Sequence, residues 1–509
     1  TERGLTPDLR YVDGPKPCLE ILGGLVSSDL DGDGDPDLLF HDRDGFPLLY
    51  ANDGDGHFSP RLVSADVRGT WGRSVLSHAA LDLDGDRLPE VVATGPGLVL
   101  MARNLGGLQF APWEVLYEEP GWPRRCFNTQ TWGDVDGDGD LDLFLPSIDP
   151  VVDADALLDF TMEGPPPGWG PTLDPLLLNV DGAFELVAEL PMTPAGEAGL
   201  SILGVFTDRD DDGDLDLLVA ADRAAGPPLP PTAFFRNDGV DADGRPILVN
   251  DAAEIGADLP ADGMGLGSGD FNGDGVLDYC FSDIRPHLQC LLSDGAGGYY
   301  EGGAALGLTI AAAGPTPQGD PGDWSGWSVE FVDLDNDGWP DVAGTGGGQA
   351  DVPFPDVLWQ GLPGGQFLER SAELGFDDPA SHFGMAADDF DGDGSPDLVI
   401  SGWRGPVSFW ENPCSSQAWV DIELVGAGLN SEAIGARVEL GWGDGRRELR
   451  EVHALRTMGQ SSSRTHVGLG GAEGLDSLRV RWPGGGPISV AEDLPVRRVI
   501  TVLHPDAAR

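Results

Sequence analysis

The chain has 509 residues, of which 40% are hydrophobic, and it carries a formal net charge of −58 at pH 7. This length and apolar content predict a folded protein with a large core and more than one domain, and they argue against a disordered chain. The negative charge excludes nucleic-acid backbones and anionic membrane surfaces as partners.

Turn-forming residues are abundant, with 76 glycines and 42 prolines. Short apolar runs separated by such residues are typical of an all-β protein. The five cysteines form no CxxC pair, which argues against a zinc site. Cys280 and Cys290 flank a short hairpin and can pair across it, and the odd number leaves at least one thiol free.

A nine-residue acidic loop occurs seven times, and its first copy reads DLDGDGDPD at residues 29–37. We number the copies loop 1 to loop 7. They begin at Asp29, Asp82, Asp134, Asp208, Asp270, Asp333 and Asp389. Acidic residues occupy positions 1, 3, 5 and 9 of the first copy and glycine occupies position 6, where it permits the positive φ of a tight bend.

Carboxylates at alternate positions of a turn direct several oxygens at one point, where they repel one another unless a hard cation lies between them. Ca²⁺ accepts six to eight oxygen ligands in irregular geometry, whereas Mg²⁺ requires a strict octahedron. The sequence therefore predicts up to seven Ca²⁺ ions. The predicted metal-binding positions, loop by loop, are Asp29, Asp31, Asp33, Asp35 and Asp37; Asp82, Asp84, Asp86 and Glu90; Asp134, Asp136, Asp138, Asp140 and Asp142; Asp208, Asp210, Asp212, Asp214 and Asp216; Asp270, Asn272, Asp274, Val276 and Asp278; Asp333, Asp335, Asp337, Trp339 and Asp341; Asp389, Asp391, Asp393, Ser395 and Asp397.

Two loops depart from the pattern. Loop 2 has Arg87 at position 6 and Glu90 at position 9, and we predict that it is the weakest site; loop 5 has Asn272 at position 3. An EF-hand is excluded because it needs a Glu at position 12 and a helix on each side. A single copy would be equally consistent with a solvated acidic turn, but seven copies in phase with strands favour metal binding.

The loop starts are separated by 53, 52, 74, 62, 63 and 56 residues, which is the spacing of a repeat array. Each repeat predicts four short antiparallel strands, A (inner) to D (outer), with the acidic loop joining A to B. Seven such repeats predict a seven-bladed β-propeller over residues 1–413. The seventh repeat is interrupted at residues 412–413, so we expect residues 9–13 to supply its D strand and close the ring.

Residues 414–509 have no acidic loop and are predicted to form a small β-sandwich, with strands at 419–424, 436–440, 478–482 and 499–503 and a hairpin turn at 443–445. Their net charge is −1, from 11 arginines against 12 acidic residues. Almost all of the negative charge therefore lies in the predicted propeller.

The acidic loops and their flanking strands resemble FG-GAP/VCBS repeats, the calcium-bearing blades also found in integrin α-chain propellers. The segments AIGARV at 433–438, HVGLG at 466–470 and VRWPGG at 480–485 resemble the ASPIC/UnbV domain. Together they resemble the secreted proteins similar to cartilage acidic protein, in a bacterial form. The resemblance implies a calcium-binding seven-bladed propeller followed by a small β domain, and it implies no reaction.

The predicted topology places the A–B and C–D connections on one face and the longer connections at 148–174, 222–232, 311–324 and 346–356 on the opposite face. Binding residues concentrate in variable loops on a rigid scaffold, so we expect the ligand face to lie opposite the acidic loops. Several tryptophans are expected near the opening of the propeller on this face, which we call the mouth. They either stack on sugars or peptides or pack between blades, and they are Trp71, Trp122, Trp132, Trp169, Trp324 and Trp327. Arg124 and Arg125 form either an anion site or a solvated pair.

Catalytic motifs are absent from the sequence, which has no HExxH and no nucleophile elbow. His78 and His382 lie on predicted A strands, where packing or hydrogen bonding is the usual role and a copper or zinc site is the alternative. No apolar run is long enough to span a membrane, so no membrane insertion is expected. Because weak calcium modules suit millimolar extracellular calcium, we expect a secreted or cell-surface protein whose signal peptide has been removed.

The favoured hypothesis is an extracellular binding or adhesion module whose partner is a protein or glycan. One alternative is an extracellular enzyme, a polysaccharide lyase or hydrolase that uses the loop-rich face. The other is a subunit of a surface filament that self-assembles through its C-terminal domain.

Overall fold

The computed structural model describes residues 3, 5, 24–41, 47–61, 75–121, 125–148, 172–221, 231–310, 324–347, 354–378, 380–402, 407–443, 445–454 and 459–507. The structural statements below concern these residues. No helix among them is long and apolar enough to cross a membrane.

Seven consecutive antiparallel sheets follow one another along the chain, and each contains one acidic loop between its first two strands. Sheet 1 comprises β1 (Leu25–Ser28), β2 (Asp37–His41), β3 (Pro47–Asn52) and β4 (Phe58–Arg61). Sheet 2 comprises β5 (Ser77–Leu81), β6 (Glu90–Gly95), β7 (Leu98–Ala102) and β8 (Glu114–Glu118). Sheet 3 comprises β10 (Thr131–Gly133), β11 (Asp142–Phe144), β13 (Asp174–Val180) and β14 (Ala183–Leu190), beside a short pair formed by β9 (Cys126–Phe127) and β12 (Ser147–Ile148).

The next four sheets repeat the same order of strands. Sheet 4 comprises β15 (Ser201–Thr207), β16 (Asp216–Ala221), β17 (Ala233–Val240) and β18 (Pro246–Asn250). Sheet 5 comprises β19 (Leu266–Gly269), β20 (Asp278–Phe281), β21 (Gln289–Ser293) and β22 (Tyr299–Glu301). Sheet 6 comprises β23 (Gly326–Val332), β24 (Asp341–Gly346), β25 (Val357–Leu362) and β26 (Gln366–Glu369), and sheet 7 comprises β27 (His382–Asp388), β28 (Asp397–Gly402) and β29 (Ser408–Trp410).

Apolar side chains of neighbouring sheets pack in a separate cluster at each seam, including the seam between sheets 7 and 1. That last cluster joins Phe40 and Phe58 of sheet 1 to Phe390 and Val399 of sheet 7. The innermost strands β27 and β1 also contact each other. The sheets therefore close into a ring, and the predicted β-propeller fold is confirmed.

Three one-turn helices lie in connections between sheets, and the sequence patterns did not predict them. They are α1 (Ala252–Ile255), α2 (Gly303–Leu306) and α3 (Ser371–Leu374). Each ends at a glycine with positive φ, Gly256, Gly307 or Gly375, which is the common left-handed helix C-cap. With four residues each they are too short for a hydrophobic periodicity to be seen.

The C-terminal unit consists of two facing sheets. One contains β34 (Thr465–Gly470), β30 (Ala418–Val425) and β37 (Arg498–Leu503), and the other contains β32 (Arg446–Glu451), β31 (Arg437–Trp442), β35 (Leu475–Arg481) and β36 (Ile488–Leu494). Val420, Val438, Val467 and Val480 meet in a buried cluster between them. This is the predicted small sandwich.

The C-terminal unit also adds a strand to the propeller. β33 (Gly459–Gln460) pairs in parallel with the innermost strand β1, so that Val26 lies opposite Gln460. The buried Gln460 side chain accepts a hydrogen bond from the Ala80 amide at 2.9 Å and donates one to the Ala80 carbonyl at 2.8 Å. One segment thereby ties the second unit to two adjacent sheets.

Three further sequence expectations concern the ends of the chain and the cysteines. Residues 9–13, expected to close the seventh sheet, lie outside the described residues. Arg3 lies at the seam between the first and last sheets, where its side chain pairs with Glu411 at 2.7 Å and Asp391 at 3.2 Å.

Cys280 and Cys290 form the anticipated cross-strand disulfide, Cys126 is also disulfide-bonded, and Cys414 is an exposed free thiol.

Candidate metal centres

Each acidic loop is shaped by backbone amides that converge on the carboxylate at position 1. In loop 1 the Asp29 carboxylate accepts hydrogen bonds from the amides of Gly32, Asp33 and Gly34 at 2.8–3.1 Å. The bond from the position 6 amide recurs in all seven loops. Position 6 has positive φ throughout, even where it is Arg87 in loop 2.

Position 4 also adopts positive φ in every loop, a requirement that the sequence analysis missed. Glycine occupies it in loops 1, 2, 3, 5 and 7, whereas loops 4 and 6 have Asp211 and Asn336. Asp and Asn are the residues besides glycine that tolerate this region best. The signal was therefore present in the residue types at position 4.

The carboxylate at position 9 joins its loop to the third strand of the same sheet. Asp37 accepts a hydrogen bond from the Leu30 amide at 3.0 Å with one oxygen and from the Asn52 amide at 2.9 Å with the other. The bond to the third strand or to the residue that follows it recurs in all seven sheets. The predicted final ligand thus also has a structural role, and its remaining lone pairs stay available to a cation.

The loops gather carboxylates closely enough to hold a cation. One oxygen from each of three acids lies within 4.8 Å of the others in several loops, and these groups are Asp29, Asp31 and Asp33; Asp82, Asp84 and Asp86; Asp134, Asp136 and Asp142; Asp208, Asp210 and Asp212; Asp333, Asp335 and Asp341. In each of these five loops three of the predicted positions converge, and position 9 is one of the three in loops 3 and 6.

Burial makes ionisation of the position 9 acids costly. It raises the pKa to about 7 for Asp37, Glu90 and Asp278, and to about 8 for Asp142, Asp216, Asp341 and Asp397. Neighbouring carboxylates of the same loop raise these pKa values further, while hydrogen bonds from backbone amides lower them. A cation at the centre of each loop would reverse this balance and favour the ionised form.

Some carboxylate oxygens in the loops are buried without a hydrogen-bond partner. They include Oδ1 of Asp134 and of Asp140 in loop 3, and Oδ1 of Asp391 and Oδ2 of Asp397 in loop 7. Asp397 is fully buried and Asp134 is only 6% exposed. Buried polar atoms normally have a partner, and a hard cation would provide one here, so these residues fit Ca²⁺.

Arginines approach some of the loops and not others. In loop 2, Nη1 of Arg103 lies 2.8 Å from Oδ2 of Asp84, a predicted ligand at position 3. This ion pair adds to the effect of Arg87, because a guanidinium already balances part of the charge that a metal would balance. Weak binding by loop 2 stays a prediction, and this contact, which the sequence did not reveal, is a second reason to expect it.

An asparagine in or just after the third strand links adjacent sheets, a role that the sequence analysis did not identify. The side-chain nitrogen of Asn104 donates to the carbonyl of Leu30 in the neighbouring sheet at 2.9 Å and to that of Pro89 in its own sheet at 3.1 Å. Asn52, Asn237 and Asn412 repeat both bonds, and Asn52 joins sheet 1 to Phe390 of sheet 7. The recurrence of asparagine at this place in the repeats was the sequence signal that could have revealed the link between sheets.

The C-terminal unit covers the face of the propeller that contains the acidic loops. Its side chains bond directly to four loops: Arg464 to the carbonyl of Gly34, Ser431 to the carboxylate of Asp82, Arg437 to the carbonyl of Asp208, and Arg446 to the carbonyl of Asp337. His466 contacts the Asn336 side chain at 2.7 Å and the Gly470 amide donates to the Asn336 carbonyl at 2.8 Å. This face is therefore an interdomain interface.

Most of the aromatic residues proposed for the opposite mouth either pack inside the protein or lie outside the described residues. Trp324 is 1% exposed and packs edge-on against Trp359, and Trp132 is buried against Phe184. Trp327 is half-buried, and its indole nitrogen donates to the Gly347 carbonyl at 3.0 Å. Trp71, Trp122 and Trp169 are not described. Trp324 and Trp132 belong to the apolar clusters at the seams between sheets 5 and 6 and between sheets 2 and 3, so packing between blades is the correct interpretation for both.

The remaining candidate residues have structural partners. Arg125 is buried and paired with Glu119 and Glu189, so it is neither a solvated charge nor an exposed anion site, and Arg124 lies outside the described residues. His382 bonds through Nδ1 to Asp356 at 2.7 Å, the hydrogen-bonding role expected of a buried histidine. His78 is buried on β5. The five groups of converging carboxylates described above contain no histidine.

Comparison with known families and structures gives two family matches. The FG-GAP-like repeat model matches residues 29–93 and 82–145, and the ASPIC and UnbV model matches residues 426–509. No curated protein matches the chain.

Solved structures with a similar course of the chain share little sequence with it. One is an Agrocybe aegerita lectin described as recognising non-reducing terminal N-acetylglucosamine, with 18% identity, a TM-score of 0.42, and coverage of 78% of this chain and 82% of that one. Another is the BP39L lectin from Burkholderia pseudomallei, with 12% identity, a TM-score of 0.42, and coverage of 78% and 99%. The Dos1 propeller has 9% identity, a TM-score of 0.38, and coverage of 74% and 75%.

The sequence identities and TM-scores of these structures are too low to support an argument about ligands. The family matches agree with the acidic loops at one end of the chain and with the small sandwich at the other. The chain therefore carries FG-GAP-like repeats within a β-propeller, followed by an ASPIC and UnbV domain.

Proposed function

We propose that this protein is a calcium-stabilised binding module that acts outside the cytoplasm and binds an extracellular protein or glycan on the face opposite the acidic loops. The observation that carries the proposal is the position of the C-terminal unit. It lies on the loop face and bonds directly to loops 1, 2, 4 and 6, so a further partner has access chiefly to the other face.

The acidic loops support a stabilising role for calcium. Each position 9 acid is buried between the loop and the third strand, and burial raises its pKa, which means that the ionised form is unfavourable without a cation. A cation that binds the folded loops and not the unfolded chain stabilises the fold by mass action. Removal of calcium should therefore loosen the same loops on which the C-terminal unit lies.

Thermal unfolding with and without calcium tests the proposal. We expect chelation with EGTA to lower the melting temperature by at least 10 °C, because each site held at a hundredfold excess over its dissociation constant contributes about 2.7 kcal/mol. Differential scanning calorimetry in millimolar calcium and after dialysis against EGTA measures the shift. A second EGTA sample returned to excess calcium is the control, and it should recover the original transition. An unchanged melting temperature would contradict the proposal.

A further inference from the structure

Loops 3 and 4 have the same ligand residues in sequence but different surroundings in the structure. Both have aspartate at positions 1, 3, 5, 7 and 9 and glycine at position 6. In both, the carboxylate at position 5 accepts the amide at position 7, from Asp140 to Asp138 at 3.1 Å and from Asp214 to Asp212 at 3.0 Å. Any difference in cation binding between them must therefore come from the other loop residues, which differ at positions 2 and 4, or from residues around the loops.

Loop 3 has no cationic partner among the described residues. None of its five carboxylates forms an ion pair with a described arginine, and Oδ1 of Asp134 is buried without a hydrogen-bond partner although the residue is only 6% exposed. No described arginine therefore compensates the negative charge of this loop.

Loop 4 is surrounded by guanidinium groups. Nε of Arg209 lies 3.4 Å from Oδ2 of Asp216, the position 9 acid, while its Nη2 lies 2.7 Å from Oδ2 of Asp251 outside the loop, and all three side chains are almost fully buried. Nη1 of Arg481 lies 2.7 Å from Oδ2 of Asp211, and Arg437 bonds to the other oxygen of Asp211 and to the Asp208 carbonyl. Arg437 and Arg481 come from the C-terminal unit, so domain packing brings two positive charges to this loop.

We propose that Arg209, Arg437 and Arg481 offset part of the negative charge of loop 4 and thereby weaken its binding of a divalent cation. Loop 4 is then the weakest cation site of the loops with a complete set of acids, and it serves as an ionic clamp between the propeller and the C-terminal unit. The inference rests on the proposed function, since it assumes that the other loops bind calcium. The physical reason is Coulombic, because a cation entering loop 4 meets fixed positive charges that loop 3 lacks.

The carboxylates Asp208, Asp210 and Asp212 do converge in loop 4, so the ligand geometry alone would permit a cation. The nearby arginines, rather than the ligand geometry, are what we expect to make loop 4 bind a cation more weakly than loop 3. Asp211, which stands at position 4 and is not a predicted ligand, is the residue that receives the two arginines of the C-terminal unit. Its role is therefore to hold the second unit against the loop.

A matched pair of substitutions tests the inference. Asp138→Ala in loop 3 and Asp212→Ala in loop 4 remove the same exposed position 5 carboxylate and the same loop hydrogen bond. Bound calcium is counted in the full chain by equilibrium dialysis and elemental analysis at a series of free calcium concentrations. At the lowest concentration that saturates the tight sites, we expect Asp138→Ala to lose one ion and Asp212→Ala to lose none.

Loss of one ion in both variants at that concentration would overturn the inference, and so would loss in Asp212→Ala alone. Wild-type protein that binds no calcium at any concentration would instead overturn the proposed function, so the two failures are distinguishable. Circular dichroism of each variant in calcium confirms that the fold is retained before ions are counted.

A second pair of variants tests the role of the arginines by a gain of affinity. Arg481→Gln removes a charge 2.7 Å from Asp211, whereas Arg479→Gln removes an equal charge from the same strand, where Arg479 pairs with Glu439. We expect Arg481→Gln to tighten one weak titrating site, that of loop 4, by about fivefold, the upper range for a partly exposed ion pair, and Arg479→Gln to leave every site unchanged. Equal calcium isotherms for the two variants would contradict the proposal.

Discussion

The position 9 acids show how one residue combines two roles. The sequence indicated that Asp142 and its equivalents provide the last metal ligand. The structure shows that Asp142 also accepts the amides of Val135 and Asn179 at 2.9 Å each, so it fixes the loop to the third strand. The ligand role follows from spacing along the loop, whereas the second role depends on a strand 37 residues later in the chain.

A buried carboxylate away from the acidic loops gives a prediction about pH. Asp174 is 1% exposed and accepts hydrogen bonds from Ser147 at 2.8 Å and 2.9 Å and from Ser201 at 2.6 Å. Burial raises its pKa from 3.8 to about 7, and the two serines and Arg125 only partly oppose this. Because the folded state holds the proton more tightly than the unfolded state, stability falls as the pH rises from about 4 through 7.

We therefore expect Asp174→Asn to be more stable than the wild type at pH 8, by an amount on the order of 3 kcal/mol, and to lose this advantage at pH 5. Urea denaturation at both pH values in saturating calcium measures the difference. Asp181→Asn, an exposed turn substitution at a positive φ that asparagine tolerates, is the control. A stability gain that is the same at pH 5 and pH 8 would rule out this explanation.

At the scale of elements, the seams between sheets combine apolar packing with a repeated hydrogen bond. The apolar packing follows from the short apolar runs in each repeat. The bond from the asparagine at the end of the third strand to the carbonyl at loop position 2 of the neighbouring sheet does not, because that carbonyl lies up to 338 residues away in the chain. Only closure of the ring brings these atoms together.

We expect Asn104→Ala to lower the free energy of unfolding by about 2 kcal/mol, because it leaves the buried carbonyls of Leu30 and Pro89 without their side-chain donor. The control is Asn179→Ala, which removes the equivalent asparagine of sheet 3, where the side-chain oxygen accepts from the Gly182 amide within its own turn. Urea denaturation in saturating calcium compares the two variants. Equal losses of unfolding free energy in the two variants would show that the hydrogen bond between sheets adds no stability.

At the scale of the whole molecule, the two faces of the propeller differ in accessibility. The loop face is an interdomain interface, and the opposite face contains the connections between second and third strands. In sheet 5, Pro286 is exposed on the opposite face and Ala296 is exposed in the turn on the loop face. This pair allows the chain to be attached to a surface in either orientation.

We expect a chain tethered through Ala296→Cys to bind its partner and a chain tethered through Pro286→Cys to bind at least tenfold less, because the second attachment blocks the proposed ligand face. The exposed thiol of Cys414 is replaced by serine in both. Capture from an array of glycans and extracellular matrix proteins in calcium measures binding. Stronger capture by the chain tethered through residue 286 would place the partner on the loop side.

The sequence by itself determined the all-β class, the repeated acidic loops and the small C-terminal sandwich, because spacing and turn residues act over short stretches of chain. It also showed that Cys280 and Cys290 can pair and predicted that carboxylates of one loop converge. Only the tertiary structure decided which face the C-terminal unit covers, how β33 joins the first sheet, and which loops receive arginines. Arg437 lies 226 residues from Asp211 in the chain, and no local pattern specifies a contact between side chains that only folding brings together.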